Sequence, residues 1–150
     1  MIFTDVTAEP IDPGDVLARV GAHEDGAVLL FLGVVRNHAE GRPVAGMRYD
    51  AYEEMARSVL AEIAREASER HGTERIAVVH RVGDLKLGET SVAIAVSTPH
   101  RAEAYAANRE IIEEIKQRLP VWKNEQYLDG ASTWVDGVTP PVPDHAGGAA

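Results

Sequence analysis

The basic residues between positions 97 and 125 have the types and spacing best suited to chemistry. His100 and Arg101 follow Thr98-Pro99, a pair that predicts a helix start, with Thr98 as the N-cap and Pro99 at the first helical position. Free backbone N–H groups and the positive end of the helix dipole meet at such a start, so it could bind a phosphate or a carboxylate. The alternative is an ordinary helix start in which Arg101 pairs with a nearby glutamate.

Lys116 comes near the end of the same predicted helix, beside its apolar face, and we expect it to be half desolvated. Desolvation penalises the charged form of a lysine, so such a side chain could exchange a proton near neutral pH or stabilise an oxyanion. Lysines at a helix edge more often cover apolar surface with their stems while the ammonium stays in water. The residues alone leave both interpretations open.

Basic residues elsewhere in the chain could also bind an anion. Lys123 and Glu125 are two apart in a segment predicted to be extended, so both point to one face and could hold an anion or form a weak surface ion pair. Arg36 ends an apolar run at a polar loop, where binding residues and ordinary solvent-facing arginines both occur. His80 and Arg81 end another predicted strand, and we interpret them as structural.

Arg101 and Lys116 are too far apart to contact one small ligand within one chain. At about 1.5 Å per residue they lie roughly 22 Å apart along the helix axis. Either the chain has two sites, or a two-fold dimer brings the start of one helix near the end of its mate. We favour the dimer.

The elements that must position these residues predict an α+β protein with a mixed sheet and packed helices. The apolar run at 27–35 predicts a strand buried on both faces, and the periodicity of 53–71 predicts a helix that ends at Gly72. We further predict strands at 2–6, 46–52, 76–82, 91–97, 121–127 and 132–135, a short helix from Asp12, a loop at 37–43 and a turn at Gly83-Asp84.

Composition limits the domain organisation and the classes of function. The 150 residues predict one domain over 1–136 and a disordered Pro/Gly-rich tail over 137–150. A net charge of −9 argues against nucleic acid and anionic membranes as partners. The lack of cysteine excludes disulfides and thiolate sites, the histidines lack metal spacing, and no phosphate-loop or dinucleotide motif occurs, so we predict no metal and no cofactor. Without a long apolar run or a signal-peptide pattern, we expect the cytoplasm.

Several short motifs occur in a fixed order, and the set is far more specific than any one of them. The set resembles the MoaE family, the large catalytic subunits of molybdopterin synthase, over roughly residues 26–136. The motifs are Phe31-Leu32-Gly33-Val34-Val35-Arg36, Tyr49-Asp50-Ala51-Tyr52-Glu53-Glu54-Met55-Ala56, His80-Arg81-Val82-Gly83, Gly88-Glu89, Pro99-His100-Arg101, Lys116 and Pro120-Val121-Trp122-Lys123-Asn124-Glu125.

The resemblance implies an α/β-hammerhead fold and an enzyme that converts a cyclic pyranopterin monophosphate to molybdopterin by inserting two sulfurs. The sulfur would arrive as a thiocarboxylate on the C-terminal Gly-Gly of a small ubiquitin-like, MoaD-like subunit. One such subunit would dock at each end of a homodimer of the large subunit, which gives a heterotetramer.

The resemblance also implies roles for the site residues. Lys116 would be the main catalytic group at the thiocarboxylate carbonyl, with Lys123 assisting it and Glu125 orienting Lys123. His100 and Arg101 would bind substrate in the pocket of the other protomer. The other substrate-binding positions would be Val34, Val35, Arg36 and Asn124, with Phe31 in support.

Two other classes of function are compatible with the composition. A non-catalytic dimeric module could bind a pterin or a nucleotide, but it would not need a half-buried lysine beside a channel for a protein tail. A purely structural subunit would have no affinity for small molecules. Neither accounts for the ordered set of motifs.

Overall fold

The computed structural model describes residues 1–134, and the predicted tail at 137–150 lies outside the described residues together with 135 and 136. Within 1–134, no helix is both long enough and apolar enough to cross a membrane. In chain order the elements are β1 (Ile2–Thr7), α1 (Pro13–Leu17), β2 (Ala27–Val34), β3 (His38–Ala39), β4 (Arg42–Ala51), α2 (Glu53–His71), β5 (Ile76–Arg81), β6 (Gly83–Lys86), β7 (Thr90–Thr98), α3 (Arg101–Arg118), β8 (Val121–Tyr127) and β9 (Ser132–Trp134).

The first sheet carries the main core. Its strand order is β1-β5-β7-β2, with β1 parallel to β5 and the other neighbours antiparallel. Helices α2 and α3 pack on one face and α1 packs on the other, as the apolar periodicity of α2 requires. The prediction of an α+β protein with a mixed sheet is therefore confirmed. The fully buried side chains between this face of the sheet and the two helices include Leu60, Ile63, Ile76, Val78, Ile94, Val96 and Ile111.

The second sheet is antiparallel, with β4 paired to β3, β6 and β8, and β9 paired to β8. Two predictions differ here. The turn predicted at Gly83-Asp84 is wrong, because Gly83, at a φ of 92°, begins β6, which pairs with β4. The predicted loop at 37–43 instead holds β3, the start of β4 and a tight turn at Glu40-Gly41, where φ is 49° and 80°. Glycine indicates that the backbone of both segments can adopt a positive φ, but it does not indicate which of the neighbouring residues pair with another strand.

Strand β2 is not buried on both faces as predicted. It lies at the edge of the first sheet and pairs only with β7 in the described residues. Val28, Phe31 and Val34 are 50%, 39% and 51% exposed. An apolar edge strand with open backbone groups is a surface suited to pairing with another chain.

The start of α3 also differs from the prediction. Thr98 is the last residue of β7, where it pairs with Ala27, so its backbone belongs to the sheet and it does not cap the helix. His100 is the N-cap residue and Arg101 is the first helical residue. The Thr98 hydroxyl donates to the His100 carbonyl oxygen at 2.5 Å, which fixes the turn from the sheet into the helix.

The loop before β2 holds the start of α3 in place. The carboxylate of Asp25, fully buried, accepts hydrogen bonds from Arg75 and from the Ser97 hydroxyl, the latter at 2.7 Å. The next residue, Gly26, donates its backbone N–H to the Pro99 carbonyl oxygen at 3.1 Å. The loop therefore braces the backbone directly before His100.

We expect Gly26→Ala to destabilise the protein, because a Cβ at this position would lie 2.8 Å from the Pro99 carbonyl oxygen. Either the loop or the start of α3 must shift, with an expected loss of about 1–3 kcal/mol in the free energy of unfolding. Urea unfolding measures the loss, and the backbone amide resonances of His100 and Arg101 report the shift. Unchanged stability together with unchanged resonances would contradict this contact.

Candidate active site

A cavity of about 760 Å³ opens where both sheets meet the end of α3. Its walls come from the end of β2, from β4, β5 and β7, from the last turns of α3 and from the start of β8. No group of three or more His, Cys, Asp or Glu side chains within residues 1–134 is placed to hold a metal ion. Five of the predicted site residues line this one cavity, namely Phe31, Val34, Arg36, Lys116 and Lys123.

Lys116 and Arg36 are the cations that the cavity presents to solvent. Both are exposed, and neither has a hydrogen-bond or ion-pair partner among residues 1–134. Lys116 is thus exposed in the single chain and not half-buried as we expected, because it lies at the open side of the cavity. It lies in the last turn of α3, at the negative end of the helix dipole.

Arg118 also lines the cavity, but its charge is already neutralised. Its guanidinium donates to Glu62, Glu66 and Glu114 at 3.0, 2.7 and 2.8 Å. The hydrogen bonds that Arg118 donates to Glu66 and Glu114 raise the pKa of Arg118 above its ordinary value. Arg118 therefore fastens α3 to α2.

A bulge at the end of β2 positions Val34 and Arg36. The pairing with β7 shifts between Gly33 and Val34, and a Cβ on Gly33 would lie 2.8 Å from Val92. Val35 points away from the cavity into a small cluster with Met47 and Leu85. Its backbone N–H and C=O bond to Glu89 and Gly88 at 3.1 and 2.9 Å, so Val35 fixes the chain beside Arg36 and is not itself part of the lining.

A salt bridge between Arg81 and Glu89 holds the turn whose backbone bonds to Val35. Arg81 is buried and donates to the Glu89 carboxylate at 2.8 Å, and Glu89 also accepts from the backbone N–H of Lys86 at 2.7 Å. The turn that bonds to Val35 is therefore held on both sides. Arg81 has the structural position that we predicted for it.

The residues predicted on β8 divide between the cavity and the sheet. Lys123 lines the cavity and is paired in the sheet with Tyr49, whereas Asn124 and Glu125 lie outside the lining. Glu125 accepts a hydrogen bond from the Tyr127 hydroxyl at 3.1 Å. The proposed role of Glu125 in orienting Lys123 stays a prediction.

His100 and Arg101 lie at the opposite end of α3 from the cavity. Both are exposed, and neither side chain has a hydrogen-bond or ion-pair partner within residues 1–134. Because α3 runs from Arg101 to Arg118, roughly 22 Å of helix separates them from Lys116. One chain does not bring the two predicted groups of site residues together.

The cavity floor contains His80 and Tyr49, whose contribution was not evident from the sequence. His80 is only 4% exposed, its ring packs edge-on against Tyr49 with centroids 5.2 Å apart, and Nδ1 donates to the Arg81 carbonyl oxygen at 2.8 Å. Burial lowers the pKa of His80 to about 4, and nearby Lys116 also lowers it. His80 is thus a satisfied structural histidine, as predicted, but it also faces the cavity. For Tyr49, the sequence signal was its place among the apolar residues that alternate with polar ones along β4.

The family model described as MoaE protein matches residues 6–118. The chain belongs to the MoaE protein family. The match includes Arg36, His80, His100, Arg101 and Lys116, so it spans the cavity and both ends of α3.

Related MoaE proteins are similar over most of this chain. The molybdopterin synthase catalytic subunit of Bacillus subtilis is 41% identical over 131 residues, which are 87% of this chain and 83% of that protein. The subunit of the same name from Coccidioides immitis is 41% identical over 85% of this chain, which spans only 65% of that longer protein. A crystal structure of molybdopterin synthase from Staphylococcus aureus has a TM-score of 0.81 and 38% identity, and covers 87% of this chain and 94% of its own.

We expect His80 of this MoaE protein to be neutral at pH 7, with its proton on Nδ1, and to titrate near pH 4. The nitrogen shifts of the ring in NMR spectra recorded between pH 7 and 3.5 measure both. An unfolded histidine takes up its proton near pH 6.5, so the stability that His80 contributes is complete above this pH and is lost as the pH falls towards 4. A His80 that titrates near 6.5 in the folded protein would contradict its burial.

Proposed function

We propose that this protein is the large, catalytic subunit of a molybdopterin synthase, a sulfurtransferase that converts a cyclic pyranopterin monophosphate to molybdopterin. The observation that carries the proposal is the pair Lys116 and Arg36, two cations without a partner in the described residues, at one open cavity. In a chain with a net charge of −9, such a local positive site favours an anionic ligand. Membership of the MoaE family suggests which anions these are.

The proposed chemistry gives Lys116 one defined task. The thiocarboxylate sulfur, already bonded to the tail carbonyl carbon, attacks a side-chain carbon of the pterin, and the oxygen substituent on that carbon leaves with the electron pair of its C–O bond. The sulfur then joins the tail to the pterin as a thioester. Water adds to the tail carbonyl carbon, the bond between this carbon and the sulfur breaks, the sulfur keeps the electron pair as a pterin thiolate, and the tail leaves as a carboxylate. The Lys116 ammonium donates to the oxyanion that forms when water adds, so it stabilises the transition state more than the ground state.

The proposed sulfur donor is the Gly-Gly tail of a small ubiquitin-like subunit. The cavity combines apolar walls from Ile112, Ile115 and Leu119 with the cations of Arg36 and Lys116, which suits a thin peptide that ends in a negative charge. A bound tail would cover the exposed Lys116 and exclude bulk water, which strengthens the hydrogen bond to the oxyanion. We place this reaction in the cytoplasm, in accord with the cysteine-free sequence.

The proposed assembly is a homodimer of the large subunit with one small subunit at each end. Apolar surface remains open along the edge strand β2 at Val28, Phe31 and Val34, and Tyr105 of α3 is 61% exposed. A two-fold interface over this edge would cover these side chains. It would also carry His100 and Arg101 of one protomer towards the cavity of the other, where they would bind the phosphate and the pterin.

We expect Lys116→Ala to lower kcat by about 100- to 1,000-fold, the usual effect of removing one oxyanion donor. The assay mixes the protein with a thiocarboxylated small subunit and the cyclic pyranopterin monophosphate and measures the molybdopterin formed. Lys86→Ala is the matched control, because Lys86 is an exposed lysine on β6 that lies outside the cavity, and its turnover should equal that of the wild type.

Near-normal turnover by Lys116→Ala would remove the proposed catalytic role. If the wild type formed no product while it bound both the small subunit and the pterin, the protein would be a binding module and not the enzyme.

A further inference from the structure

His80 is a rigidly held side chain in the cavity to which the proposed chemistry gives no task. Its ring is fixed on two sides, by the hydrogen bond from Nδ1 to the Arg81 carbonyl and by the edge-on contact with Tyr49. Arg81 is itself held by Glu89, so the carbonyl that orients the ring does not move freely. The position of His80 in the cavity is therefore set before any ligand binds.

The hydrogen bond to Arg81 also determines whether the second ring nitrogen, Nε2, donates or accepts. A carbonyl oxygen can only accept, so Nδ1 must carry the proton of the neutral ring. Nε2 is then left with a lone pair, and it has no hydrogen-bond partner among residues 1–134. Within residues 1–134, Nε2 is not among the fully buried side-chain atoms that lack a partner, so it keeps some access to the cavity that His80 lines.

Most of the polar side chains that line this cavity can donate hydrogen bonds. Lys116 and Arg36 are cationic donors, the Trp122 indole N–H can only donate, and the Tyr49 hydroxyl is hydrogen-bonded to Ser91. Gln117 is an exposed amide that can both donate and accept, whereas Nε2 of the buried His80 can only accept. An anion would be attracted by the cations, whereas an N–H donor of the same ligand would find a fixed acceptor in Nε2.

We infer that Nε2 of His80 accepts a hydrogen bond from an N–H donor of the bound ligand and that His80 is a specificity-determining residue of this site. The inference rests on the proposed function, which supplies two sources of such a donor. One is a backbone N–H of the Gly-Gly tail, and the other is a ring N–H of the pterin. A ligand of similar charge without an N–H at this place leaves Nε2 unpaired and binds less tightly.

The test separates the two ring nitrogens of His80 by substitution. In His80→Asn the side-chain amide can still donate to the Arg81 carbonyl from the place of Nδ1, but nothing reaches the place of Nε2. In His80→Gln the amide oxygen reaches the place of Nε2. We expect His80→Asn to weaken the binding of one probe by about 5- to 10-fold, the loss of one neutral hydrogen bond, and His80→Gln to restore most of it.

Two probes identify the source of the donor by isothermal titration calorimetry. The first is a synthetic peptide that ends in Gly-Gly with a free carboxylate, and the second is the cyclic pyranopterin monophosphate. The probe that loses affinity in His80→Asn and regains it in His80→Gln carries the donor. The midpoints of urea unfolding are measured for both variants, because a purely structural role would make affinity follow stability.

Two results would overturn the inference. The first is that His80→Asn binds both probes with an affinity within about twofold of the wild type. Such a change is smaller than the loss of one hydrogen bond would cause. The second is a loss for which affinity follows stability in both variants. Failure of the proposed function looks different, because the wild-type protein itself would then bind neither probe.

Discussion

The rigid attachment of α3 to the rest of the protein is the constraint on which the site depends. At its middle, the buried Asn108 donates to the Ile94 carbonyl at 3.1 Å and so ties the helix to the first sheet. At its end, Arg118 joins the carboxylates of Glu62 and Glu66 on α2. A helix held at both places cannot bend to bring Arg101 to Lys116. His100 and Arg101 therefore remain at the opposite end of α3 from Lys116, and the shared site that we propose requires a second copy of the chain.

The cavity at the end of this helix owes its character to which charges are paired. Arg118 is neutralised by three glutamates and serves the packing of the helices, whereas Lys116, two residues earlier, has no partner in the described residues. Arg36 is left open in the same way beside the bulge at Gly33 and Val34. Structural arginines and the proposed binding cations thus lie side by side. A count of basic residues could not have separated them.

Much of the fold could be predicted because its signals are local. The period of α2 and its end at Gly72, where φ is 70°, follow from side-chain spacing and from the freedom of glycine. The edge position of β2 could not be predicted, because an apolar strand has the same sequence pattern whether it packs against a helix, a neighbouring strand or another chain. The cap of α3 was misplaced for a similar reason, since pairing of Thr98 with Ala27 outweighs its preference for an N-cap.

The candidate site was predictable where an ordered motif named a residue, as for Lys116 and Arg36. His80 shows the limit, because its sequence neighbours indicate a strand end but not that the ring lies between Tyr49 and the cavity. That position depends on how the second sheet packs against the first, which brings together residues 31 positions apart in the chain. Such distant contacts are set by the whole fold and not by any local pattern.

If one functional site is built from two copies of the chain, as we propose, two inactive variants should complement each other in mixed dimers. Lys116→Ala and Arg101→Ala proteins are each assayed alone with the thiocarboxylated small subunit and the cyclic pterin, and then after they are unfolded together and refolded. We predict two nearly inactive parents and a mixture with about a quarter of the wild-type rate, because half of the dimers are mixed and each holds one intact site. A mixture no more active than its parents would contradict the shared site.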